Sequence, residues 1–232
     1  MTGGEMMDVY CTNNLRIIDL TKKLYPSTEQ RRLELKRFNT GGPIPDFHTH
    51  MDITSHLGTH VECPYHHRDE WKDVLHMPLT SFMGRGVYAP IEHMNPNEHI
   101  TGADLELVCG DIIGEDDVLI IDSPYKLKPF TEKTNTEEDK RLFIGKDACE
   151  WLLKRKIRCL GFGDGVSIEN CNEDCSTLHD LLLGNDIVFI EVLENLELLQ
   201  KRTFFISYSP LPIEGLDSCP VRVYAIEGMP GF

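Results

Sequence analysis

The chain has 232 residues, 41% hydrophobic and 26% charged, an ordinary globular composition that can bury a core without staples. Its formal net charge of −15 argues against nucleic acid and anionic membrane surfaces as partners, although a bound cation would reverse the sign locally. Eight cysteines (11, 63, 109, 149, 159, 171, 175 and 219) are too scattered for a disulfide scaffold, no leader pattern is visible, and no apolar run nears the ~20 residues of a membrane span. A reduced, cytoplasmic protein is the expectation, organised as one domain over residues 1–232 with 1–14 as a loose arm.

In chain order, residues 15–20 (LRIIDL) read as a strand. Residues 21–40 are polar, with helix formers over 30–37, and predict a short helix or mobile segment. After the turn at 41–45, His48 and His50 alternate along an extended stretch, with Met51, Ile53 and Ser55 on its other face. The Asp46-x-His48-x-His50 pattern resembles the first metal strand of amidohydrolase-type barrels. That architecture needs ~250 residues and a series of strand–helix repeats, which are absent here.

Beyond residue 66 the chain reads as loop or helix to Pro78 and strand over 86–91. Thr101 is placed to cap a helix over 103–108, and 118–122 (VLIID) reads as a buried strand. Residues 126–140 are charged and without an apolar face, a surface insertion. Residues 145–156 form an amphipathic helix through Ala148, Trp151 and Leu152, followed by a strand over 157–162. The glycines at 161, 163 and 165 fall short of a nucleotide fingerprint, and Asp164 at the strand end is the better site candidate. A helix over 176–184, a strand 187–190 running into Glu191, and strands 203–207 and 221–226 complete the chain. Helices and strands alternate only in part, which favours α/β with a mixed sheet.

The chemistry concentrates in residues 56–66 (HLGTHVECPYH), which place His56, His60, Glu62 and His66 within eleven residues. Imidazoles and a carboxylate are usual ligands for zinc, manganese or iron. Residues two apart on an extended segment share a face, so His60 and Glu62 point one way, and His56 joins them across a turn at Gly58. Cys171-x3-Cys175-x3-His179 is a looser rival metal pattern without an evident fourth ligand. Tyr65, His67, His76, His93 and His99 read as surface or packing residues.

The stretch His56-x-Gly58-Thr59-His60-x-Glu62-x-Pro64-x-His66 resembles the H-x-G-T-H-x-D-x-P-x-H signature of the putative cyclase family, which includes bacterial kynurenine formamidase, isatin hydrolase and trans-dienelactone hydrolase. Six of its seven fixed positions hold, and Glu62 stands where the family has Asp. The resemblance continues through His179 and Glu191 and through residues 211–222 (LPIEGLDSCPVR), which contain Asp217. It implies a swivelling β/β/α fold with a barrel-like mixed-sheet core flanked by helices. It implies His56, His60 and Glu62 as ligands of a first divalent ion, zinc or manganese. Glu62, His179 and Glu191 would hold a second ion, or shape the pocket if one ion binds, and His66 would be the acid/base. The implied reaction is water-driven opening of a small amide, formamide or lactone, in a homodimer or homotetramer. Residues 120–125 (IIDSPY) depart from the formamidase-like members' Arg-Thr-Gly-Trp type of stretch, and the added methylene of Glu62 suggests an alternative, a weakened binding protein on the same fold.

Overall fold

The computed structural model describes residues 8–127, 137–168 and 172–232, apart from the side chains of 172–174. In chain order the strands are β1 (Val9–Thr12), β2 (Leu15–Asp19), β3 (Leu33–Asn39), β4 (Phe47–Ile53), β5 (His60–Glu62), β6 (Met83–Pro90) and β7 (His99–Ile100). Helix α1 (Gly102–Cys109), β8 (Val118–Asp122), β9 (Leu142–Ile144), α2 (Lys146–Arg155), β10 (Cys159–Gly163), β11 (Val166–Ser167) and α3 (Asn172–Leu182) follow. Then come β12 (Val188–Leu193), β13 (Thr203–Ser207), β14 (Ser218–Pro220) and β15 (Tyr224–Glu227).

Ten strands form one mixed sheet in the order β1-β2-β15-β13-β6-β8-β10-β12-β5-β14. Its centre, β6-β8-β10-β12, is parallel and buried on both faces. Alternation divides the side chains. Leu119, Ile121, Leu160, Phe162 and Phe189 meet Leu105, Ala148, Leu152, Leu178 and Leu182 of the three helices. On the other face Val118, Ile120, Cys159, Val188 and Ile190 meet Ile18, Val61, Phe204, Ile206 and Cys219. Residues from both halves of the strand order share this second core, so the sheet curls around it, helped by an isolated bridge between Thr21 and Leu193. No ladder joins β1 to β14 among the described residues. The fold is the expected α/β one, a large mixed sheet with helices, and no closed barrel is seen among the described residues.

The expected helix at Thr101 forms as α1, whose capping box pairs the Thr101 and Asp104 side chains with each other's backbone N–H. Other expectations need correction. Residues 9–12 of the expected loose arm pair with β2 as an edge strand. Where a short helix or mobile segment was expected, the chain instead forms β3, paired with β4 from Leu33↔Ile53 to Asn39↔Phe47. Within the expected surface insertion, Asp139 is buried and clamps Arg141 through both carboxylate oxygens, while 128–136 lie outside the described residues. Helix α3 starts before Ser176 and ends at Leu182, with a 3-10 turn over Leu183–Asn185 and a left-handed Asp186 after it. The turn-rich stretch before Val221 holds an unforeseen strand, β14. No described helix is long and apolar enough to cross a membrane.

Candidate metal centre

Strand β5 lies between β12 and β14, and this ladder assembles the site. His60 pairs with Glu191 and Glu62 with Phe189 on one side; Glu62 pairs with Ser218 on the other. Gly58 precedes β5 at φ +59°, the left-handed region that suits a residue without Cβ. Its carbonyl accepts from His60 Nδ1 at 2.7 Å. Thr59 is held on three sides: its hydroxyl donates to Val192 O and accepts from Lys22 N, and its carbonyl accepts from Val221 N. Pro64 opens a single 3-10 turn, Pro64–His66, that brings His66 back toward Glu62.

A carbonyl can only accept, so the two histidines bonded to carbonyls have a defined tautomer when neutral. His60 gives its Nδ1 hydrogen to Gly58, and His179 gives its Nδ1 hydrogen to Cys175 O at 2.6 Å on α3. Both are left with an Nε2 lone pair, and both Nε2 atoms face Glu62. His60 Nε2 lies 3.5 Å from Oε1, and His179 Nε2 lies 3.9 Å from Oε2. His56 Nδ1 is 2.7 Å from Oε1, and His66 Nε2 is 3.9 Å from Oε2. Glu191 Oε2 reaches 3.6 Å from His60 Nε2.

The two oxygens of Glu62 thus face separate pairs of histidines, His56 and His60 at Oε1, His66 and His179 at Oε2. The carboxylate is buried, and among the described residues Oε2 has no hydrogen-bond partner. A buried carboxylate oxygen without a partner is costly, and a cation is one group that would satisfy it. Burial opposes ionisation of Glu62, yet contacts from His56 and His60 and the charge of His66 hold its carboxyl far below the usual range. For His56, burial is outweighed by Asp217 and Glu62, which raise its pKa to about 9. Burial lowers the pKa of His179, favouring the neutral form that a ligand requires.

Of the six residues that the family resemblance implies, the structure brings His56, His60, Glu62, His66 and His179 into candidate ligand groups, while Glu191 lies in none of them and meets the cluster through His60. His56, His60 and Glu62 form one group whose ligand atoms lie within 4.8 Å of one another; Glu62, His66 and His179 form a second. A third, His56, His66 and Asp217, contains a residue to which the sequence assigned no role. Asp217 Oδ2 lies 2.8 Å from His56 Nε2 and 3.4 Å from His66 Nδ1. Its place in the 211–222 stretch was the available signal.

His48 and His50 stay outside. Both are exposed on β4, His48 beside Asp46 and His50 stacked on Phe38 at 4.6 Å between centroids. Cys171 of the rival pattern lies outside the described residues, while the Cys175 thiol sits 3.5 Å from His179 Nδ1, the nitrogen turned away from Glu62. His67, read as a surface residue, packs its ring 5.3 Å from that of His179 and contacts Asp180. Asp164 stands at the end of β10 among Asp122, Lys126 and Glu194.

Comparison with known proteins gives a family model, described as Putative cyclase, that matches residues 18–170. Among solved structures, one similar chain is a potential metal-dependent hydrolase with cyclase activity, at TM-score 0.70 and 22% identity, covering 93% of this chain and 100% of that one. Isatin hydrolase A from Ralstonia solanacearum superposes at TM-score 0.73 with 22% identity over 92% of each chain. Isatin hydrolase A from Labrenzia aggregata, bound to benzyl benzoate, does so at 0.70 with 21% identity, over 91% of this chain and 93% of that one. No curated protein matches the chain.

Proposed function

The chain belongs to the putative cyclase family, and from that premise we propose that it is a metal-dependent hydrolase opening the C–N bond of a small linear or cyclic amide, or the acyl C–O bond of a lactone. The observation that carries this reading is Glu62, one buried carboxylate with each oxygen facing two histidines and one oxygen without a hydrogen-bond partner. The donor set of imidazoles and carboxylates fits zinc or manganese. His56, His60 and Glu62 would hold one ion, and Glu62, His179 and Glu191 a second where two bind. When bound, such an ion polarises a carbonyl and lowers the pKa of water to ~7.

The chain's own residues supply the rest. Gly58 O and Cys175 O hold His60 and His179 in the tautomer that presents Nε2. His66 is more exposed than the other histidines of the cluster, its side chain 31% accessible, and presents Nε2 on the Oε2 side of Glu62. It is the group placed to take a proton from the attacking water and return it to the leaving nitrogen or oxygen. The isatin hydrolases among the structural neighbours support a cyclic amide as substrate class. The reading includes self-association into a homodimer or homotetramer, which the exposed apolar face of the β3–β4 hairpin supports.

Elemental analysis of the purified protein, with hydrolysis of isatin, N-formylkynurenine and aryl lactones before and after chelation, tests the proposal. Turnover that disappears with chelator and returns with zinc or manganese is expected. Metal-loaded protein that turns over none of them would favour the binding-protein alternative, in which the longer Glu62 side chain has misplaced the bridging carboxylate.

A further inference from the structure

We propose that Asp217 orients two histidines of this site at once. Through one oxygen, it determines which ring nitrogen His56 turns toward the ion and which His66 turns toward the reacting water. The proposal rests on the hydrolase reading above and deepens it.

Asp217 Oδ2 lies 2.8 Å from His56 Nε2 and 3.4 Å from His66 Nδ1. An ionised carboxylate only accepts hydrogen bonds, so each of these nitrogens carries its hydrogen toward Oδ2. For His66 the opposite nitrogen is then defined; for His56, whose Nδ1 also faces a carboxylate, it is defined where a bound ion takes the place of the Nδ1 hydrogen. His56 presents Nδ1, 2.7 Å from Glu62 Oε1 and 3.2 Å from His60 Nε2, where a shared ion would sit. His66 presents Nε2, on the Oε2 side of the same carboxylate at 3.9 Å. The two rings lie 4.6 Å apart between centroids, so one carboxylate oxygen suffices for both.

The backbone makes this placement part of the site's own ladder. Cys63 N donates to Asp217 O at 2.9 Å, and the next residue, Ser218, pairs with Glu62. Asp217 is thereby fixed relative to Glu62, while its side chain is 31% accessible at the rim. A carboxylate behind a ligating imidazole fixes the ring and raises its basicity. Here the same atom also serves the proton carrier, so metal affinity and turnover are tied to one residue. Ligation of the ion by Asp217 itself is the competing arrangement, with His56 Nε2 toward the ion and Nδ1 kept on Glu62, and the His56 tautomer in the zinc-loaded protein separates the two.

Long-range proton–nitrogen correlation spectra of zinc-loaded protein with nitrogen-15 histidine read the tautomers directly. We expect hydrogen on Nε2 of His56 and on Nδ1 of His66. The Asp217→Asn variant should move His66 toward the other tautomer and weaken zinc binding by about 10–100-fold in chelator competition. It should lower kcat by about 10²–10⁴-fold with KM within a few-fold. Wild-type His66 carrying its hydrogen on Nε2 overturns the proposal, and so does an Asn variant with unchanged tautomers and zinc affinity. The wild-type spectrum decides even if the variant fails to fold. Because neither spectrum nor competition needs turnover, a protein that hydrolyses nothing but shows both shifts sinks the hydrolase reading alone.

Discussion

His66 and Asp164 show how two ionisable residues in one chain come to have different uses. His66 lies in two of the three candidate ligand groups, yet it is more exposed than its neighbours and opens the Oε2 side of Glu62. If it carries protons, His66→Ala should cut turnover by about 10²–10⁴-fold while metal content by elemental analysis stays at the wild-type value. Loss of an ion in that variant would instead make His66 a ligand. Among the described residues Asp164 has no histidine partner and its Oδ1 no hydrogen-bond partner. Burial, with help from Glu194 and Asp122, pushes its pKa up to about 6, against the pull of Lys126 and Lys22. The sign follows from linkage. Between pH ~4 and ~6 the unfolded chain releases this proton while the folded chain keeps it, so its contribution to stability falls as pH rises and is level above ~6. Asp164→Asn should remove that slope and stabilise the protein at pH 7 by about 1–2 kcal/mol, a figure already discounted for partial exposure. Urea titrations of both proteins at pH 4, 6 and 7 check it, and parallel curves across that range would show that Asp164 titrates normally.

At the scale of elements, the turn into β5 decides whether the histidines meet. Gly58 combines a left-handed φ of +59° with a Cβ position only 2.5 Å from Leu24 Cδ2. Gly58→Ala should therefore cost at least about 1–2 kcal/mol for the backbone alone. It should also weaken metal binding, because the Gly58 carbonyl orients His60. Adding Leu24→Ala removes the overlap but not the backbone strain, so a double variant fully restored in denaturant titration would refute the conformational argument. The same element shows what could be read in advance. The 118–122 run was visible as a buried strand, α1 from Thr101, and His60 beside Glu62 from the two-residue spacing, because each depends on local pattern. Strand β3 was not, since 30–37 carries helix formers and becomes a strand only through its pairing with β4. Asp217 was invisible as a partner of His56 because the Glu62↔Ser218 register that delivers it joins residues far apart in the chain. Val192 is a further case. This buried β-branched residue at φ +59° sits where the β10–β12 register shifts, just after Glu191, and periodicity carries no sign of such an irregularity.

For the molecule as a whole, the β3–β4 hairpin has a face that the described residues leave uncovered. Cross-strand pairing places Leu33, Leu35, Phe47, Met51 and Ile53 on one face together with Arg37, Asn39 and Thr49, and Glu34, Lys36, His48, His50 and Asp52 on the other with Phe38. The apolar face is open: Leu35 is 51%, Phe47 48%, Met51 66% and Ile53 38% accessible. A two-stranded hairpin is at best marginally stable alone in water, and both of its outer edges are free of strand pairing among the described residues. Residues 31–53 carry Arg31, Arg32, Lys36 and Arg37 against Glu34, Asp46 and Asp52, within a chain of net charge −15. The arm is thus slightly basic and the rest of the molecule strongly acidic, so a second copy offers an attractive surface where the chain's overall charge would otherwise repel it. Light scattering after size-exclusion chromatography should give twice or four times the 26.5 kDa chain mass. A Phe47→Asp, Met51→Asp double variant, which puts two charges on the apolar face, should shift the protein to monomer with unchanged circular dichroism. Wild-type protein that stays monomeric across micromolar concentrations would mean the hairpin faces solvent or another partner, and an oligomer indifferent to the double variant would place the interface elsewhere.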